Sequence, residues 1–195
     1  MSQSEYETII AEAITYIRTL FENNADGHDV DHSLRVYRNA RLLAQEEDCD
    51  PLIVALAALL HDADDHKLFQ TVDHANARSF LKEHGLAPDT IEKIIRVIDG
   101  VSFSKNHGRH PDDIETMIVQ DADRLDAIGA IGIARTFAYG GCHQRSLDDS
   151  IQHFHDKLLL LQDELNTEKA RDIARTRHSF MLEFLKEYAA ELNNG

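Results

Sequence analysis

Hydrophobic side chains recur every three or four residues along most of the chain, which is the spacing of one buried face of an α-helix. The first such stripe runs from Tyr6 to Phe21. Similar stripes predict four further helices at about 30–47, 51–61, 73–85 and 88–100. The segment 101–111 lacks this periodicity and contains glycine and proline, so we expect a loop there.

The second half of the chain continues the helical pattern. A sixth helix is predicted over 113–141, interrupted near Gly129 or Gly132, because glycine weakens a helix interior. A seventh helix is expected over about 147–166, and the last one begins at Glu168.

No segment has the alternating pattern of a strand. The chain has 195 residues, of which 43% are hydrophobic, and this is enough to fill one core. We therefore predict an all-α fold: a compact single-domain bundle of seven to eight helices that spans residues 1–195.

The third predicted helix, PLIVALAALL, is apolar on every side, so it should lie at the centre of the bundle. Asp50 before it and Pro51 at its first position are typical of a helix start. The helix runs directly into the polar sequence HDADDHK, residues 61–67. This order needs an explanation, because burying an unpaired carboxylate is energetically unfavourable.

Ionisable side chains interrupt the apolar faces of three predicted helices: His32, the pair His61–Asp62, and Asp121. Taken alone, His32 would be a hydrogen-bonded core histidine and Asp62 a turn residue. Asp121 would be half of a core salt bridge with Arg124 or Arg35. Taken together, they supply two imidazoles and two carboxylates. A divalent cation would remove the repulsion between the two carboxylates. Such a mixed nitrogen and oxygen set suits Mn²⁺ or Fe²⁺, tolerates Mg²⁺ and does not exclude Zn²⁺.

The charge of the chain limits the class of partner. There are 20 lysines and arginines against 35 aspartates and glutamates, a net charge of −15. This argues against binding a nucleic acid polymer or an anionic membrane, but a few cations in one cleft can still bind a small anion. Two cysteines, Cys49 and Cys142, form no C-x-x-C motif, and no apolar run approaches the ~20 residues of a membrane span. We expect a cytoplasmic protein.

The order of these residues is similar to the H…HD…D signature of the HD-domain superfamily of metal-dependent phosphohydrolases. The segment GHDVDHSLRV, around His32, resembles the first-histidine motif of that family. The resemblance covers about 27–139. SFSK at 102–105 and HFHDKLLLL at 153–161 are similar to small bacterial members known as predicted HD hydrolases, a subgroup that contains nucleotide pyrophosphohydrolases.

The resemblance implies that one divalent metal ion is bound by His32, His61, Asp62 and Asp121. Mn²⁺ is the first expectation, with Mg²⁺, Fe²⁺, Co²⁺, Ni²⁺ and Zn²⁺ as alternatives. Some HD nucleotidases have a catalytic acidic residue three positions after the HD aspartate. Asp65 has that position here, although glutamate is commoner there. It would orient or deprotonate the attacking water, or protonate the leaving oxygen.

Cationic side chains near these motifs are candidates for contacting the phosphates of a substrate. Arg35 follows His32 by one turn, and Arg124 follows Asp121 by three residues, so both can lean toward the metal ligands. The other candidates lie in polar segments, namely His66, Lys67, Lys105 and Arg109. A surface salt bridge is the ordinary alternative for any one of them.

We therefore predict a phosphohydrolase that acts on a small nucleotide and cuts a nucleoside or deoxynucleoside triphosphate into monophosphate and pyrophosphate. The candidate cations outnumber the needs of one phosphate monoester, and pyrophosphate needs less protonation on leaving than an alkoxide does. The alternatives are a phosphomonoesterase of the 5′-nucleotidase type, a cyclic-nucleotide phosphodiesterase, a non-catalytic nucleotide or metal sensor, and a di-iron oxygenase. The sequence leaves open the base, the sugar and the oligomeric state, a homodimer included.

Overall fold

The structure is a computed structural model that describes residues 2–22, 30–66, 68–101 and 110–193. Within these ranges the chain forms nine α-helices, two 3₁₀ helices and no strand. The α-helices are α1 (Gln3–Leu20), α2 (Val30–Leu43), α3 (Pro51–Leu60), α4 (Ala75–Glu83), α5 (Pro88–Val101), α6 (Ile114–Asp126), α7 (Gly129–Cys142), α8 (Leu147–Asp156) and α9 (Glu168–Asn193). The all-α prediction is confirmed, with a helix count slightly above the seven to eight expected.

The chain divides into two compact units, Met1–Asp123 and Arg124–Gly195, and the boundary falls within α6. The prediction of a single domain over 1–195 stays a prediction. No helix in the described ranges is both long enough and apolar enough to cross a membrane.

The first unit is built around α3. Every residue from Ile53 to Leu60 is buried, and α3 packs against α1, α2 and α5. The Asp50 side chain caps the helix by accepting from the backbone N–H of Leu52 at 2.9 Å and of Ile53 at 3.4 Å. Its C-cap is His61. This buried central helix therefore ends at the first residue of the HD pair.

Among the side-chain hydrogen bonds that connect α6 to its neighbours in the first unit, two lie near the middle of the helix. Asn39 on α2 donates to the carbonyl oxygen of Ala122 at 3.2 Å. Gln120 donates to the carbonyl oxygen of Gly100 at the end of α5, at 2.9 Å. These bonds fix α6 in register with α2, the helix that contains His32.

The predicted sixth helix is two helices, as its glycines suggested. Gly129, with φ +74°, begins α7 in a left-handed conformation that favours glycine. A Cβ there would also lie 2.9 Å from the Arg177 side chain. This break raises the helix count.

The predicted seventh helix is also interrupted, and no glycine or proline marks the place. α8 ends at Asp156, and a 3₁₀ helix over Leu158–Glu164 follows. Its buried leucines, Leu158 and Leu161, are three residues apart, which is the spacing of one face of a 3₁₀ helix.

The second unit has an aromatic core. The rings of Phe137, Phe154 and Phe184 come from α7, α8 and α9, and their centroids lie 5.9 to 6.1 Å apart. This cluster holds the three helices together.

Candidate metal centre

Four ionisable side chains of the first unit converge on one point. His32 comes from α2, His61 is the C-cap of α3, Asp62 follows it directly, and Asp123 lies on α6. His32, His61 and Asp123 each offer a ligand atom, and these atoms all lie within 4.8 Å of one another. Their supporting helices are held in place as well: α2 packs against α3, and hydrogen bonds connect α6 to α2 and α5.

The imidazole Nε2 atoms are at the middle of the cluster. His32 Nε2 lies 3.3 Å from His61 Nε2 and 3.3 Å from Asp123 Oδ1. Asp62 Oδ2 lies 3.3 Å from His61 Nε2 and 3.5 Å from His32 Nε2. Asp62 is not part of the mutually close group of three, but its Oδ2 atom lies within 3.5 Å of both imidazole nitrogens.

The other ring nitrogen of His61 fixes the orientation of its imidazole. Nδ1 lies 2.9 Å from the carbonyl oxygen of Ala58, one turn back on α3, and we assign it as the donor of that hydrogen bond. In the neutral ring the proton is then on Nδ1, and the lone pair of Nε2 points into the cluster. A histidine that binds a metal is commonly held by such a bond from its second nitrogen.

The protonation equilibria of the site favour a positive charge among the carboxylates. Burial lowers the pKa of His61, but Asp62 and Asp123 outweigh burial and raise the pKa from 6.5 to about 9. Burial raises the pKa of Asp123, but the hydrogen bond and charge of His32 outweigh it, and the net pKa is lowered. In the absence of metal, a proton on an imidazole supplies the positive charge that the cluster needs.

A divalent cation fits this donor set. It would replace the imidazole proton and neutralise both carboxylates, and the mixed nitrogen and oxygen ligands suit Mn²⁺ or Fe²⁺ and accommodate Mg²⁺ or Zn²⁺. The residues that would hold it are His32, His61, Asp62 and Asp123.

The structure brings Asp123 to the two imidazoles, where the sequence analysis expected Asp121. Asp121 is fully buried, and the α6 carboxylate in the group of described residues that could share an ion is that of Asp123. Positions two apart on a helix point about 200° away from each other, so the two aspartates occupy different faces of α6. The Asp123 side chain is 27% exposed, which gives an ion a path to the ligands. Among the described residues, Asp123 therefore takes the place of Asp121 as the α6 carboxylate beside the imidazoles, and which of the two binds an ion stays a prediction.

The hydrophobic periodicity of α6 does not distinguish between these two aspartates. Asp121 follows the half-buried Met117 and the buried Ile118 by one turn, but Asp123 follows Val119, which is as buried as Ile118, by one turn. A helix that is buried on nearly every side gives both faces the same signal.

The proposed catalytic residue, Asp65, follows the HD pair on the same turn. Its backbone N–H donates to the carbonyl oxygen of Asp62 at 3.1 Å, and its side chain is half-buried. This hydrogen bond closes the turn between Asp62 and Asp65 and so holds Asp65 close to the HD pair.

The candidate phosphate contacts have varied positions. Arg35 is half-buried on α2, one turn after His32, and His66 is exposed. Arg124 belongs to the second unit, where its buried guanidinium donates to the carbonyl oxygen of Glu164 and lies 3.3 Å from its Oε2. Three further candidates lie outside the described residues: Lys67, Lys105 and Arg109.

Residues 29–128 match the HD domain family. The chain is 37% identical over 186 residues to YpgQ of Bacillus subtilis, covering 91% of each. The structure of YpgQ in complex with ADP has a TM-score of 0.81, with 35% identity and coverage of 93% of this chain and 97% of YpgQ. The Lin1889 protein of Listeria innocua has a TM-score of 0.80, 38% identity and coverage of 96% and 97%.

A third similar structure is an HD-superfamily hydrolase from Bacillus thuringiensis, which has a TM-score of 0.80 and 34% identity. The match covers 97% of this chain and 100% of that hydrolase. The family match covers more than half of the chain and includes every residue of the cluster. The chain belongs to the HD-domain family and is a metal-dependent hydrolase.

Proposed function

We propose that the protein hydrolyses a nucleoside or deoxynucleoside triphosphate to the monophosphate and pyrophosphate. The observation that carries the choice of a nucleotide is the complex of YpgQ with ADP, because YpgQ resembles this chain over nearly its whole length. The complex of that relative with ADP supports a substrate of the nucleotide class here.

The residues of this chain would divide the work of hydrolysis. When bound, a divalent ion supplies charge neutralisation for phosphoryl oxygens and lowers the pKa of water. His32, His61, Asp62 and Asp123 would hold that ion. Asp65 would accept a proton from the attacking water or orient it, which is the role of a general base.

Phosphoryl transfer depends on positioning and on charge stabilisation more than on covalent chemistry. Arg35, near the ligands on α2, and His66, on the HD turn, are the described candidates for contacts with the phosphate chain. Lys67, Lys105 and Arg109 stay in the proposal from the sequence. Arg124 is not included, because its guanidinium is already committed to Glu164.

A product assay tests the proposal directly. A panel of nucleoside mono-, di- and triphosphates is incubated with Mn²⁺, Mg²⁺ or Co²⁺, and pyrophosphate and orthophosphate are quantified separately. We expect equal amounts of pyrophosphate and monophosphate from a triphosphate. The variant His61→Ala, purified identically, controls for contaminating phosphatases. Orthophosphate released from monophosphates, with triphosphates intact, would instead assign a 5′-nucleotidase.

A further inference from the structure

Three hydrogen bonds connect the turn after the HD pair to the first turn of α4. Asp64 Oδ1 accepts from the backbone N–H of Asn76 at 2.9 Å, and Oδ2 accepts from that of Ala77 at 3.0 Å. The Asn76 side-chain amide donates in return to the carbonyl oxygen of Ala63 at 2.7 Å. We call Asp64, Asn76 and Ala77 the turn clamp.

The start of α4 requires an acceptor from elsewhere in the chain. Its N-cap, His74, has φ 53° and makes no side-chain capping bond, and Asp73 before it has φ 53° as well. The first N–H groups of a helix have no partner within the helix, and an acidic side chain is favoured there. Asp64 therefore serves as the capping residue of a helix that begins at Ala75, in place of the local N-cap.

A further contact supports the clamp from α1. The Tyr16 hydroxyl donates to the carbonyl oxygen of Asn76 at 3.1 Å. The turn also has little freedom, because Ala63 is fully buried. Asp64 and Asn76 are thus fixed from both sides.

The position of Asp62 depends on this turn. Asp64 is two residues further along the chain, and the Asp62 carbonyl oxygen accepts from the N–H of Asp65 at 3.1 Å. Metal ligands have to be held within about 0.5 Å of their working geometry. A shift of the turn would therefore displace the Asp62 carboxylate from the two imidazoles.

We propose that Asp64 and Asn76 are positioning residues of the metal centre. They hold the HD turn on α4, so that the Asp62 carboxylate faces His32 and His61. Both oxygens of Asp64 are bonded to backbone N–H groups, so its charge is directed to the helix and it acts only through Asp62. This inference rests on the metal centre in the proposed function, but not on the identity of the substrate.

Mn²⁺ affinity, measured by isothermal titration calorimetry, tests the inference. Asp64→Asn keeps the shape of the side chain but replaces one acceptor by an N–H₂ group that faces an N–H. Asn76→Ala removes the bond to Ala63 and leaves the backbone in place. We expect each variant to bind Mn²⁺ about tenfold more weakly, the loss typical of a residue that orients a ligand.

Ser146→Ala is the matched control. Ser146 caps α8 by accepting from the N–H of Asp149 at 3.0 Å, so its loss also removes a helix cap. We expect it to lower the thermal midpoint of the metal-free protein as Asp64→Asn does, while Mn²⁺ affinity stays at the wild-type value. Hydrogen exchange of the Asn76 and Ala77 amides, faster in Asp64→Asn than in Ser146→Ala, would report the opened clamp in the folded protein.

Two outcomes would overturn the positioning role. In the first, Asp64→Asn and Asn76→Ala are destabilised like the control but bind Mn²⁺ as the wild type does, and Asp64 is then only a helix cap. In the second, the wild-type protein binds no Mn²⁺, which removes the metal centre itself. Weak binding by the variants together with no cleavage of any nucleotide would support the clamp and reject only the proposed substrate.

Discussion

The two ring nitrogens of His61 have different partners, one in its own helix and one in the cluster. Nδ1 donates to the carbonyl oxygen of Ala58 on α3, and Nε2 faces the cluster. Asp62 and Asp123 raise the pKa of this imidazole to about 9, against the effect of burial. The same two carboxylates that would bind a cation therefore favour the protonated form of this imidazole when no cation is bound.

The two aspartates of α6 give a direct test at this scale. We expect Asp123→Asn to weaken Mn²⁺ binding by more than the roughly 10–100-fold that the loss of a supporting residue costs. Asp121→Asn, the same change two residues away, should leave the affinity within a few-fold of wild type. Calorimetric titration of both variants decides the assignment. The reverse order of effects would restore Asp121 as the ligand.

Replacing Asp65 should lower the rate of hydrolysis and leave the metal affinity unchanged. With a general base or water-orienting group removed, Asp65→Asn is expected to lose about 10²–10⁴-fold in kcat and to bind Mn²⁺ normally. The control is Asp89→Asn, an exposed carboxylate in the first turn of α5, which should keep wild-type turnover. Normal turnover of Asp65→Asn at every pH would exclude Asp65 from the reaction.

Among the helices, α3 is held at its start as well as at its end. Glu115, in the first turn of α6, accepts from the backbone N–H of Asp50 at 3.2 Å and from Lys93 Nζ at 2.7 Å. Glu115 is buried, so this carboxylate has exchanged water for those two donors. It connects α6 to the N-terminus of α3 and to α5.

The pH dependence of stability should reveal the Glu115 contact. Burial raises the pKa of Glu115, but the bonds from Lys93 and Asp50 outweigh it and lower the pKa below 4.5. Its contribution is therefore present above about pH 4.5 and is lost as the pH falls through the lowered value. We expect Glu115→Gln to reduce the free energy of unfolding at pH 7 by about 1–2 kcal/mol.

Urea unfolding at pH 7 and at pH 3 measures this effect, and the difference between Glu115→Gln and wild type should shrink at the lower pH. Glu92→Gln is the control, because its ion pair with Arg78 is largely exposed on the Glu92 side. An exposed ion pair contributes little to stability, because solvent screens the two charges. Equal losses in the two variants would contradict the role of Glu115.

The helix boundaries show where local sequence was enough. The glycines at 129 and 132 predicted a break in this region, and it falls at Gly129, where the left-handed φ favours glycine. Nothing local marked the end of α8 at Asp156. The leucines that follow are compatible with one continuous helix, and only their burial in the second unit selects the 3₁₀ helix.

Over the first unit as a whole, the ligands connect distant parts of the chain. His32, His61 and Asp123 come from α2, the end of α3 and α6, so a bound ion would crosslink three helices. A ligand that binds only the folded state stabilises it by about 2.7 kcal/mol at 100 times its Kd. We expect Mn²⁺ at that excess to raise the thermal midpoint by about 5–10 °C.

A thermal scan with Mn²⁺ and then with a chelator measures this shift. Chelation should restore the lower midpoint, and Asp123→Asn should show almost no change with either addition. A wild-type midpoint that does not respond to Mn²⁺ at any concentration would argue against the ion as a crosslink.

The sequence by itself determined the all-α class, the central helix α3 and three of the four residues now in the cluster. These follow from local signals: 3.6-residue periodicity, capping residues, and polar side chains on otherwise apolar faces. The family signature added the metal and the class of reaction. Only the tertiary structure decided which of Asp121 and Asp123 lies beside the imidazoles, because α6 is buried on nearly every side and the choice depends on which face meets α2. It also decided that Arg124 bonds Glu164 and that Asp64 caps α4, since both depend on contacts between residues far apart in the chain.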